Sequence, residues 1–155
     1  MTGIDETAAR VRSHAANGYP RCSTEQALVY AAEDEVDALL GIRIVPEHDV
    51  GDVLVALCEA EDVDEPSLSR TPRRGSSDAA SVDLVTREMR VRPGSVPLSV
   101  IVHELAHLVS AADNHGREFR DELVRLSRTH VSVAHGSLLH TLFSAVDLDV
   151  SDWRT

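Results

Sequence analysis

The sequence predicts an α+β fold, and three observations carry that expectation. Four stretches repeat their apolar residues at the helical period, near 24–40, 49–60, 116–128 and 136–146. Between them, residues 82–92 alternate apolar and polar side chains, the period of half-buried strands. The run Pro97–Ala112 is apolar on most sides, as a helix enclosed by its neighbours would be. At 155 residues, 43% of them hydrophobic, the chain can build one real core and is short for two ordinary domains. Residues 21–150 are expected to form that domain, with residues 1–20 a helix or a loose arm ahead of it.

Each element has a local reason. Residues 5–16 suit a short helix that ends before Asn17, Gly18 and Pro20. Ser23 or Thr24 caps the next helix, whose apolar side is Leu28, Ala31, Ala32, Val36 and Leu39; Gly41 stops it. Ile42–Val45 reads as a short strand closed by Pro46. Asp49–Ala60 reads as a second helix on Val50, Val53, Leu54 and Leu57. The acidic stretch Glu59–Glu65 makes a solvated connection; its carboxylates suit calcium, but the loop glycine of an EF-hand is missing. Ser67–Thr71 reads as a strand. Val82–Val85 and Glu88–Arg92 read as a hairpin about Thr86 and Arg87, and either is a candidate edge strand for pairing with an extended peptide. Ser95 is placed to cap the apolar helix, with Pro97 in its first turn. Helices at about 116–128 and 136–146 close the chain.

Chemistry concentrates in the apolar helix. His103, Glu104 and His107 spell His-Glu-Leu-Ala-His, the HExxH signature. Residues four apart share a helix face, so both imidazoles can reach one metal ion. Glu104 can then contact a water held there and act as general base. Two histidines and a glutamate inside an apolar helix need a compensating partner, because unpaired buried charge is costly; a zinc ion is such a partner.

A catalytic zinc takes three protein ligands and leaves one position open. His115 follows His107 by eight residues and Asp113 by six, the latter matching the HExxHxxGxxH or Asp-ended spacing. That pattern needs glycine three residues after the second histidine, where this chain has Ser110. Residues 113–116, Asp-Asn-His-Gly, form a natural helix stop instead. His115 is therefore preferred as third ligand, with Asp113 a helix cap or acceptor; His135 and His140 remain distant alternatives, and His130, like both of these, suits a surface or satisfied core position.

Composition narrows the function. No apolar run is long enough for a membrane span, and the polar, acidic start is unlike an export signal, so a cytoplasmic location is expected. Cys22 and Cys58, as a lone pair, are expected to be reduced thiols. The net charge is −11, all of it from residues 1–65, which hold 15 acids and four arginines. That balance repels phosphate backbones and argues against general nucleic-acid binding. Arg70, Arg73 and Arg74 make a local basic patch that reads as a solvated loop.

The stretch Val102–His107, followed by His115, Gly116 and Phe119, resembles the short metallohydrolases of actinobacteria and their phages. More distantly it is similar to the SprT-like metallopeptidases, which pair HExxH with a downstream His-Gly-x-x-Phe. Ala27–Glu33, Arg87–Pro93 and Leu138–Leu148 resemble the first group's N-terminal helix, pre-helix strand and closing helix, so the resemblance spans Cys22–Leu148. Arg117 departs from it, where many relatives have proline. The resemblance implies a small zincin-like domain, a short twisted sheet packed on the metal helix, with His103, His107 and His115 as zinc ligands and Glu104 as the catalytic residue. The expected activity is zinc-dependent hydrolysis of a peptide or protein substrate. Peptidases often add a Tyr, His or Arg as second electrophile; Tyr19 and Tyr30 lie far upstream, and Tyr30 reads as a packing residue, leaving His135, His140 or an arginine. The competing reading is a non-catalytic regulatory or protein-binding domain held together by zinc.

Overall fold

Six helices and five short strands form among residues 2–71 and 79–153, which the computed structural model describes. Arg73 and Arg74 lie outside the described residues. The fold is α+β. Its elements group into two units, Met1–Gly41 with Asn114–Thr155, and Ile42–Asp113.

The first unit is helical. Helix α1 spans Gly3–Gly18, longer than the pattern at 5–16 suggests, because Thr2 and Asp5 cap it reciprocally: Thr2 Oγ1 accepts from Asp5 N (3.2 Å) and Asp5 Oδ2 from Thr2 N (2.9 Å). Helix α2, Thr24–Leu40, is capped by Ser23, whose Oγ accepts from Gln26 N. Gly41 ends it at φ 74°, donating its N–H to Asp37 O. Helix α5 spans Arg117–His130 and helix α6 Val133–Ala145. The latter starts three residues earlier than its apolar pattern, because Ser132 caps it through His135 N. The core of the unit is Val11, Val29, Phe119, Leu126, Leu142 and Phe143, all fully buried. Buried Gly136 lets α6 approach α5 closely: a Cβ there would stand 2.6 Å from Arg128 Cβ.

The second unit carries the strands. Strand β1 is only Ile44–Val45, shorter than the expected 42–45. A 3-10 turn at Glu47–Asp49 leads into α3, Val50–Ala60. Strands β2 (Ser67–Ser69), β3 (Ala80–Asp83) and β4 (Glu88–Val91) form a sheet in the order β2-β4-β3, with β4 parallel to β2 and antiparallel to β3. The hairpin is real, but its first strand is Ala80–Asp83 and not Val82–Val85. Asp83 Oδ1 accepts from Val85 N and Thr86 N, turning the chain early and leaving Val85 exposed. Its second strand, expected at Glu88–Arg92 as a candidate edge, is central in the sheet; β3 and β2 are the edges. Strand β5, Val96–Pro97, pairs with β1, and β3 lies against α4, Leu98–Ser110. Ser95 does not cap α4. The helix follows Pro97 directly, and Leu98 N is satisfied by Arg43 O at 2.8 Å. No helix among the described residues is long and apolar enough to cross a membrane.

Candidate metal centre

Helix α4 is enclosed along its middle. Every residue from Ile101 to Leu108 is buried, including His103 (5% exposed), Glu104 (6%) and His107 (7%). The i, i+4 spacing sets the two imidazoles side by side, ring centroids 5.2 Å apart. The helix stops at Ser110, earlier than the Asp-Asn-His-Gly stop expected at 113–116. Ala111 adopts the left-handed conformation (φ 55°, ψ 29°), and Ala112 N donates to Ser110 Oγ. This turn brings Ala112 O to 2.6 Å from His107 Nδ1. A carbonyl only accepts, so Nδ1 carries the proton and the Nε2 lone pair is left for a metal. Burial, and next the adjacent His103, push His107 down to about 4, against the raising effects of Ala112 and Asp113. At neutral pH the ring is neutral, the form that binds metal.

His115 lies in the turn before α5 and is itself buried (8% exposed). Asn114 Oδ1 accepts from Gly116 N at 2.9 Å, and a Cβ at 116 would stand 2.8 Å from that oxygen and push the Asn114 side chain aside. The His115 ring meets Phe119 edge-on at 4.8 Å between centroids and Tyr30 at 5.2 Å. Along this contiguous stretch of chain, ligand-capable nitrogens of His103, His107 and His115 all lie within 4.8 Å of one another. Among the described residues this is the one group of three or more His, Cys, Asp or Glu placed to hold a metal ion.

Three buried imidazoles fit zinc. The ion takes nitrogen donors at about 2.0–2.1 Å and, in catalytic sites, three protein ligands.

The other candidates lie elsewhere. Asp113 is exposed and outside the group. His135 uses both ring nitrogens, accepting from Ser132 Oγ (2.7 Å) and donating to Gly41 O (2.8 Å). His140 Nε2 donates to Ser151 O, and His130 ends α5; neither joins the group. The acids of 59–65 form no such group either. Tyr19 donates its hydroxyl to Asp34, and Tyr30 stands beside His115, a neighbour that no spacing along the chain could announce. Cys22 and Cys58 are both thiols; burial, and then Glu65, push the Cys58 thiol up.

Sequence reasoning also missed Arg120. Its side chain is buried, and its Nη1 donates to His115 O at 2.7 Å. Among Arg117, Glu118, Asp121 and Glu122 it reads as one more charged residue of a solvated helix, which gives no advance sign of such a role. Comparison with protein-family models, curated proteins and solved structures returns no match to this chain.

Proposed function

We propose that the protein is a zinc-dependent hydrolase, a metallopeptidase of small zincin-like fold distantly akin to the SprT-like enzymes, acting in the cytoplasm on a peptide or protein substrate. The observation that carries this reading is the convergence of three buried imidazoles, two from an HExxH helix that also buries Glu104. When bound, zinc supplies Lewis acidity, lowering the pKa of coordinated water to about 7 and polarising a carbonyl oxygen. His103, His107 and His115 hold the ion, and His107 is fixed in the required tautomer by Ala112 O. Glu104 moves the proton: its carboxylate accepts it from the attacking water and passes it to the leaving amine. Strand β3, an edge of its sheet that lies against α4, is where an extended substrate would add by backbone pairing. A net charge of −11 argues against a nucleic-acid substrate.

Glu104→Gln tests the reading, because it keeps the side chain's shape and removes the base. The variant should retain zinc and lose hydrolysis of unfolded proteins and peptide libraries by at least ~100-fold, the low end for a positioned general base. Equal cleavage by both proteins would assign the activity to another site. No Glu104-dependent cleavage in a broad screen would favour a non-catalytic, protein-binding domain that uses zinc to hold its fold.

A further inference from the structure

We infer that Arg120 is a positioning residue for the third metal ligand, coupling His115 to the C-terminal segment 149–153. The inference rests on the metal reading above and goes beyond it. Arg120 is 3% exposed, yet its guanidinium is well satisfied: Nη1 donates to His115 O (2.7 Å), while Nε and Nη2 both donate to Asp149 O (3.0 and 2.9 Å). Glu25, 3.4 Å away, supplies the countercharge. A planar fork with fixed donors holds two carbonyls in one geometry, which a flexible ammonium cannot do. Arg120 therefore ties the backbone of His115 to that of Asp149.

The far side of this tie is anchored independently. Ser151 donates to Asp121 through both N (2.7 Å) and Oγ (2.6 Å). His140 holds Ser151 O, and Trp153 packs against Arg128 at 4.9 Å and His140 at 5.6 Å. The segment is a brace along α5 and α6, and Arg120 transmits it to the ligand turn. Coupling of this kind is reciprocal: a metal that fixes His115 must also steady the brace. Trp153, the sole tryptophan, reports on the brace directly.

The test is zinc affinity, by competition with a chromophoric chelator, together with acrylamide quenching of Trp153 with and without zinc. Wild type, Arg120→Gln and Arg120→Lys are compared. Arg120→Gln should weaken zinc by ~10-fold or more, the usual effect of losing a group that orients a ligand, and Arg120→Lys should recover part of it. Zinc should shield Trp153 in wild type and leave its quenching unchanged in Arg120→Gln, a loss of coupling that mere destabilisation would not produce. Wild-type zinc affinity in Arg120→Gln would overturn the inference alone. So would unchanged Trp153 quenching in zinc-loaded wild type, a result that needs no variant to fold. A wild-type protein that binds no zinc would remove the metal reading itself, and this inference with it.

Discussion

His115 and Asp113 stand two residues apart, but only the histidine joins His103 and His107. Asp113 is exposed, whereas the His115 ring is packed between Phe119 and Tyr30 and its carbonyl is held by Arg120. His115→Ala should therefore weaken zinc by more than ~100-fold, beyond the range for groups that merely orient ligands, while Asp113→Ala leaves affinity nearly intact. A competition titration with the reverse ranking would identify Asp113 as the ligand. The grouping of the three histidines was legible in advance because the helical period places His103 and His107 together, and residues 113–116 spell a turn. The supports around them were not. Arg120 reads as one more helical arginine, and its burial depends on Asp149 O, far along the chain. Tyr30 reaches His115 from another helix for the same reason.

At the scale of elements, helices were the most legible because caps and period agree: Ser23, Gly41 and Gly116 bound α2 and α5 where the pattern says. Boundaries failed where a single side chain or backbone contact overrode the pattern. Asp83 ends β3 two residues early, and Arg43 O replaces a side-chain cap on α4. The stop at Ser110 was invisible because it requires left-handed Ala111, a conformation alanine rarely adopts and composition does not signal. Close packing of α5 on α6 was equally hidden, since one glycine in a helical pattern looks incidental. Gly136→Ala should lower stability by roughly 1–3 kcal/mol, because the added methyl meets Arg128 Cα and backbone N at 2.9 Å and the helices must shift apart. Gly3→Ala, with nothing within 4 Å, is the control and should change stability far less. Urea unfolding midpoints decide: equal midpoints for the two variants would show that α6 can move away from α5 without cost.

For the whole molecule, the α+β class was legible from the alternation of periods, whereas the pairing order β2-β4-β3 was not, because a parallel neighbour leaves no turn signal between its strands. The net charge of −11 comes from residues 1–65, and in the proposed reading it disfavours a nucleic-acid substrate. In the proposed reading, a zinc ion that binds only the folded chain should stabilise it by about 4 kcal/mol when supplied at a thousand times its dissociation constant. The most direct measurement is elemental analysis of protein purified without chelator, on wild type and on His103→Ala and His107→Ala. The account predicts about one zinc per wild-type chain and none in either variant. Wild-type protein devoid of any transition metal, or variants that keep the zinc, would contradict it.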